Sequence, residues 1–393
     1  SEVVTGTTRL KLNQRAMRNI AIAVPPLPEQ RRIVAKIEEL FSELDNGVQS
    51  LKTARAQLQT YRQSLFKAAF EGRLTEQWRH DNADKSETAD QLLQRIRDEH
   101  SQQQMEKWEA APENTKSGHR LKSKKSNSFS VELSELQENN FNFPSRWLTV
   151  HLGSFIESID SGKSYKCEER PPEVGEYGLV KISAVTWGIY DENESKTCTR
   201  PDLVNDDYLV KESDFLISRA NTIDLVGSCV IAKNVTKKLM LSDKVLRLNL
   251  WWVNPYYVLY YLWSDLGRKE IESRATGNQM SMRNIGQDRI RSIVIPVPSR
   301  KEQEMIVTRV EEGLSLTDEV LATVESNLER VEVLRQSILK RAFEGKLVPQ
   351  DPNDEPASEL LERIRQEQTA KPAPASNKRR KQEVTAELFD DQP

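Results

Sequence analysis

The chain has 393 residues, 37% of them hydrophobic and 30% charged, with a formal net charge of −3. No apolar run reaches the roughly 18–20 residues that a membrane-crossing helix needs, and no charged-then-apolar leader opens the sequence. Cys167, Cys198 and Cys229, with His80, His100, His119 and His151, show no metal-ligand spacing, which argues against structural zinc or a disulfide framework and favours a reducing compartment.

In chain order, residues 1–28 are polar until Ile-Ala-Val-Pro-Pro-Leu-Pro. This string reads as a short buried strand, stopped because proline cannot donate to a ladder. Residues 29–74 read as one long helix, with Ile33, Ile37, Leu40, Leu44, Val48, Leu51, Leu58, Tyr61 and Leu65 on a stripe of period near 3.5. Gly72 stands where a left-handed helix cap is expected. Residues 75–140 read as a polar linker holding one amphipathic helix near 88–108, then the solvated run TKSGHRLKSKKSNSFS. Residues 141–300 read as a mixed domain. GLVKISAVTWGIYD, DFLISRAN, GSCVIA and KVLRLNL are its expected strands, and NPYYVLYYLWSDLGRKEIESR a single helix capped by Asn254, with Pro255 in the first turn. Ile-Val-Ile-Pro-Val-Pro then leads into a second long helix, 301–346. Its seam is Ile306, Val310, Leu314, Thr317, Leu321, Val324, Leu328, Val331, Leu334 and Ile338, with Gly345 at the cap. Residues 347–393 form a polar tail with a short helix and a Lys/Arg cluster at 378–381, expected as disordered surface.

The two long helices belong to a duplication. SLFKAAFEGRL (64–74) and SILKRAFEGKL (337–347) agree at seven of eleven positions, and the likeness extends from the TG-containing polar run through Pro-x-Pro to DQLLQRIR (90–97) and SELLERIR (358–365). So long a period excludes a solenoid and indicates a duplicated large unit. Each helix is roughly 60 Å long at 1.5 Å per residue. Two such stripes bury each other most simply as an antiparallel pair, and Leu328→Ala in a buried seam is expected to cost about 2–5 kcal/mol. The fold class is α+β: a mixed domain plus an antiparallel coiled-coil spacer.

The order FNFPSRWLTVHLGSF, VKISAVTWGIYD, FLISRANTIDLVGSCVI, SRATGNQMSMRNI and IVIPVPSRKEQEMIVTRVEE resembles the specificity subunits of type I restriction–modification systems, across essentially the whole chain. The resemblance implies two target-recognition domains per subunit, each followed by a conserved helix, with the helices paired as a spacer. It implies no catalytic centre and no metal on this chain, and cofactors (S-adenosylmethionine, ATP and Mg) held by partners. Those partners are methyltransferase subunits that modify adenine, restriction/translocase subunits, and double-stranded DNA; no membrane is implied, and the location is cytoplasmic. Residues 1–28 match only the end of a first recognition domain and are expected to dock on the helix pair, on a partner, or to stay mobile; the chain as given is expected to be able to self-associate. Two recognition domains on one rod would read a split target, with centres about one turn, roughly 34–36 Å, apart. A coiled-coil scaffold without DNA binding and a stand-alone adenine methyltransferase are the alternatives.

Enzyme-like strings are weak. Gly162-Lys163-Ser164 ends like a P-loop, but Glu157 occupies the position of the first glycine. Asn254-Pro255-Tyr256-Tyr257 lacks the second proline of a methyltransferase motif, and its aromatics suit a helix packed inward. Binding chemistry is richer. Arg reads guanine, and Asn or Gln reads adenine, through paired hydrogen bonds. Three stretches concentrate such residues: Lys163, Ser164 and Lys166; Ser218, Arg219 and Asn221; and Arg274, Asn278, Gln279, Ser281, Arg283 and Asn284. The last, around Thr276-Gly277-Asn278-Gln279, is the leading candidate for base contact. From Leu216 to Arg300 there are 13 Lys+Arg against 6 Asp+Glu, the charge balance of a local DNA footprint.

Overall fold

A computed structural model describes residues 17, 20–83, 87–110, 143–185, 188–279 and 282–370. Most of 1–28, the run at 115–130 and the 378–381 cluster lie outside the described residues. The described helices are α1 (Leu27–Phe70), α2 (Glu76–Asp81), α3 (Ala89–Ala110), α4 (Pro255–Trp263), α5 (Asp265–Arg274), α6 (Gln287–Arg291), α7 (Arg300–Phe343) and α8 (Ala357–Ala370). The strands are β1 (Leu148–His151), β2 (Ile156–Ser161), β3 (Tyr177–Val180), β4 (Ser195–Cys198), β5 (Phe215–Ser218), β6 (Ala220–Asn221), β7 (Cys229–Ile231), β8 (Lys238–Met240), β9 (Val245–Leu250), β10 (Thr276–Gln279), β11 (Met282–Asn284) and β12 (Val294–Val297). The fold is mixed α+β. The chain divides into two compact units, residues 55–322 and residues 1–54 with 323–393.

In the unit of residues 55–322, β2-β9-β5-β7 form an antiparallel sheet. A second sheet, β4-β3-β8, is mixed, its β3–β8 pair being parallel. β1 pairs with β12, and β6, β11 and β10 make a small third sheet. The main core gathers Phe66, Phe70, Leu92, Ile96, Phe155, Tyr257, Tyr261, Ile306 and Val310. Phe70, at 0% exposure, meets Tyr257 and Tyr261 edge-on, at centroid distances of 5.3 and 5.2 Å. Both tyrosine hydroxyls donate to β12, to the Pro296 and Val294 carbonyls, at 2.7 Å each. Buried phenols need such acceptors, and this pairing is what seats α4 on β12. Asn254 caps α4 by accepting from the Tyr256 N–H at 2.9 Å. The expected single helix over 254–274 is two. Ser264 ends α4, and its hydroxyl accepts from the Gly267 N–H at 3.2 Å to start α5.

The described part of the segment expected as a polar linker, 75–83 and 87–110, is tied into this unit. Leu92 and Ile96 of α3 enter the core, and Arg95 lies over the Trp252 ring at 5.9 Å. Glu302, buried at the start of α7, accepts from the Thr75 hydroxyl at 2.7 Å, Arg79 at 2.6 Å and the Trp147 indole at 3.0 Å. A buried carboxylate with three donors is fully satisfied. Arg247 of β9 is a buried cation of this unit. It meets Asp160 of β2 at 2.8 Å, Asp214 at 3.1 Å and the carbonyls of Asp207 and Leu209.

Within the same unit the long helices run antiparallel: Arg62 pairs with Asp318, and further along α1 Leu65 abuts Gly313 of α7. Val310, Thr317 and Leu65 are buried in this seam, and Leu58 and Leu321 half-buried. Tyr61, expected in the stripe, is 46% exposed. In the unit of residues 1–54 and 323–393, Arg335 of α7 pairs with Asp45 of α1 and lies over the Phe41 ring at 5.4 Å. Arg32 meets Asp354 at 2.6 Å. Val324 and Val331 are buried there, while Ile33, Ile37, Leu44, Leu51, Leu328 and Ile338 are half-buried. Leu334, expected in the seam, is 50% exposed because Arg335 takes the inward place. Half-burial of Leu328 lowers the cost of Leu328→Ala to about 1–2 kcal/mol. A urea-midpoint shift of a fully buried leucine would contradict it.

Two further features distinguish the repeats. Val294–Val297 is a buried strand paired with β1, whereas its counterpart at 21–24 is exposed and irregular. The expected first strand has no partner among the described residues. Phe343, the counterpart of Phe70, is 71% exposed, and Leu361 and Ile364 are exposed where Leu93 is half-buried and Ile96 buried. Gly72 and Gly345 both adopt the left-handed cap, at φ 76° and 67°.

Candidate nucleic-acid interface

The three polar stretches singled out in the sequence all lie in the unit of residues 55–322. β10 and β11 form a hairpin, and β11 pairs with β6, placing Arg283 opposite Asn221 and Asn284 opposite Ala220. The Arg219 carbonyl accepts from the Ile285 N–H at 2.9 Å, and the Arg219 N–H donates to the Lys244 carbonyl at 2.8 Å. The Ser164 hydroxyl donates to Asp243, next to Lys244. The turn between β8 and β9 thus joins the Lys163–Lys166 stretch to the β6–β11–β10 sheet.

Two glycines set this geometry. A Cβ on Gly162 would stand 1.8 Å from the Leu241 carbonyl oxygen, so the chain passes too close for any side chain. That is the structural reason for the glycine which, in sequence, resembled a phosphate loop. Gly277 has φ 124°, and its Cβ would lie 2.5 Å from the Met282 carbonyl oxygen across the hairpin. Only glycine accepts that combination comfortably.

The candidate residues separate by role. Lys163, Lys166 and Arg219 are exposed, and their side chains have no hydrogen-bonding or ionic partner among the described residues. Lys244 joins them on the same terms and was missed in the sequence, where it is an ordinary turn lysine. Gln279 and Asn284 are exposed on the hairpin. Asn278 lies on β10, its side chain outside the described residues, as is all of Ser281. Arg283 braces the hairpin, donating to the carbonyls of Gly277 at 2.6 Å and Ala275 at 2.8 Å. Asn221 accepts from the Thr222 N–H at 2.8 Å.

Two expected contact residues face inward. Ser218 is fully buried and donates to the Leu225 carbonyl at 3.0 Å, because all four residues of β5 are enclosed. Arg274 is held by Glu270 at 2.9 Å and by the Ser292 carbonyl at 3.0 Å. The basic excess over 216–300 is therefore partly spent inside: Arg247, Arg268 and Arg274 satisfy internal carboxylates and carbonyls. What remains outward is a smaller group of cations around the joined stretches.

The segment following Lys166 carries its own ion pair. Arg170 holds Glu176 through two hydrogen bonds, 2.7 and 2.8 Å, and the Glu173 N–H donates to the same carboxylate at 2.8 Å. The Arg170 guanidinium, then the Glu173 amide, lower the Glu176 pKa from 4.5 to about 2. A depressed carboxylate contributes above its unfolded pKa and loses that contribution as pH falls through the folded value. The Glu176 carboxyl is expected to titrate near pH 2 by NMR, with the loop intact at pH 4. A midpoint near 4.5 would show the pair unformed.

Among the described residues no group of three or more His, Cys, Asp or Glu side chains could hold a metal ion, and no helix is long and apolar enough to cross a membrane. The family model for the type I restriction modification DNA specificity domain matches residues 1–53 and 144–330. The chain is 26% identical over 294 residues to the type I restriction enzyme EcoEI specificity subunit of Escherichia coli, covering 74% of this chain and 46% of the relative. It is 26% identical over 366 residues to the EcoKI specificity subunit of Escherichia coli strain K12, covering 89% and 64%. It thus spans less than two thirds of either relative. A chain from a solved structure on complex assembly and conformational transition of the type I R-M system superposes with a TM-score of 0.54 at 19% identity, covering 87% of this chain and 66% of that one.

Proposed function

Because the chain belongs to the type I restriction modification DNA specificity domain family, we propose that it is a DNA-reading specificity subunit that recognises one half of a split target and docks methyltransferase and restriction subunits. The observation that carries this reading is the junction of three polar stretches in one unit, with Lys163, Lys166, Arg219 and Lys244 turned outward. Such cations meet phosphates and fix register, while Gln279 and Asn284 offer amides of the kind that read base edges.

The chain itself performs no bond-making step in this reading. S-adenosylmethionine, ATP and Mg belong to the partner subunits, adenine is the base modified, and the assembly works in the cytoplasm. The paired seams of α1 and α7 supply the spacer on which partners dock.

Titration of the chain with a mixed-sequence duplex at several salt concentrations tests the DNA reading. Phosphate contacts release counterions, so about four contacts give a log–log slope of about −3 to −4. Binding that ignores salt, or no binding to duplex at low salt, would move the reading to a scaffold without nucleic acid.

A further inference from the structure

Cys167 and Cys198 are distant in sequence, and strand pairing makes them neighbours. Glu168 and Thr197 form an antiparallel bridge in which each N–H donates to the other's carbonyl at 3.0 Å. The pair on one side of that bridge is Glu169 with Lys196, joined at 2.5 Å. The pair on the other side is Cys167 with Cys198. It occupies a non-hydrogen-bonded position, where facing Cα atoms approach to about 4.5 Å. That spacing lies within the roughly 4.4–6.8 Å that a disulfide spans. Both pack in one small cluster with Leu179 and Met240, the Cys198 thiol donates to the Arg200 carbonyl at 3.5 Å, and both thiols are free. β4, which carries Cys198, is held on its other side by β3 through the Tyr177–Cys198 pair.

We propose that Cys167 and Cys198 form a redox modification site, at which a low-molecular-weight disulfide of the glutathione class converts the facing thiols into a cross-strand disulfide that anchors the Lys163–Lys166 segment to β4. Cys167 is the partly exposed member and Cys198 the buried one. The Cys167 thiolate attacks one sulfur of the oxidised glutathione. That S–S bond breaks, and one glutathione leaves and takes up the proton Cys167 gave to solvent. The Cys198 thiolate then attacks Cys167 Sγ, the mixed disulfide breaks, and the second glutathione leaves with the second proton. Two protein thiols are oxidised, one small disulfide is reduced to two thiols, and no atom of it is retained.

The surroundings set the rate and provide an internal reference. Burial and the adjacent Cys198 thiol push the Cys167 pKa up, so closure is slow at neutral pH and speeds up as pH rises. Cys229 is fully buried, and burial pushes its thiol up further, so it stays reduced. The site opens and closes with the thiol poise around it, unlike a permanent staple. It does not depend on the segment meeting DNA.

The chain is incubated in oxidised and reduced glutathione mixtures, alkylated, and mapped by peptide mass. The expected product links Cys167 to Cys198 and leaves Cys229 alkylated, and dithiothreitol reverses it. Trypsin cleavage after Lys166 slows about fivefold in the linked form, since cleavage needs local opening of the segment. Cys198→Ser stops at a glutathione mixed disulfide on Cys167 and is cut at the rate of the reduced parent. Mixed disulfide accumulating on Cys167 of the parent without the link, or equal cleavage of linked and reduced chains, overturns the proposal.

Discussion

Replacing Lys163, Lys166, Arg219 and Lys244 together by glutamine is expected to abolish most duplex binding while leaving the fold in place. Each lost phosphate contact lowers the salt slope by about 0.9, so four contacts at about 0.1 M salt amount to an affinity loss on the order of 10³-fold. The four side chains are exposed and have no ionic partner among the described residues. Surface changes of this kind usually stay within about 0.5 kcal/mol in stability. Binding isotherms at three salt concentrations, beside a urea melt, separate the two quantities. If the quadruple variant kept the parental slope, DNA would have to meet another face.

Phe70→Ala is expected to destabilise the unit of residues 55–322 by about 3–5 kcal/mol, because it removes a fully buried ring and leaves a cavity. The ring sits edge-on between Tyr257 and Tyr261, whose hydroxyls hold β12. The cavity therefore opens where α1, α4 and β12 meet. Phe343→Ala, the same change in the other copy of the motif, is expected to shift stability by no more than about 0.5 kcal/mol at an exposed site. Urea unfolding of both variants makes the comparison. Equal midpoint shifts would show that the burial difference between the copies is not real in solution.

The contrast also shows where sequence reading stops. The helix pair was legible because a 3.5-residue stripe and a glycine cap are local signals, and Gly72 and Gly345 both carry the left-handed turn. The stripe did not say which of two adjacent residues turns inward. Arg62 and Arg335 enter the seams where Tyr61 and Leu334 were expected, because a long cation can bury its stem and still reach Asp318 or Asp45. The string Ile-Ala-Val-Pro has the composition of a strand, yet burial of its counterpart depends on β1, which the local pattern does not contain. The break at Ser264 was written in the sequence as a serine followed by aspartate, a start signal inside an apolar run.

Among the candidate contacts, residue type alone could not distinguish an outward cation from an internal one. Arg274 had a readable warning, Glu270 one helical turn before it. Ser218 had a weaker one in the unbroken apolar strand ahead of it. Lys244 and the facing cysteines carried no local sign at all, since strand register alone brings them to their neighbours.

The close passage of Gly162 beside Leu241 bears on any attempt to retarget the domain by directed evolution. A combinatorial library over the exposed Lys163 and Lys166 can sample freely, but position 162 must stay invariant, as must Gly277 in a library over the hairpin. Randomising either glycine would fill the library with misfolded clones, and selection would then reward scaffold repair over new specificity.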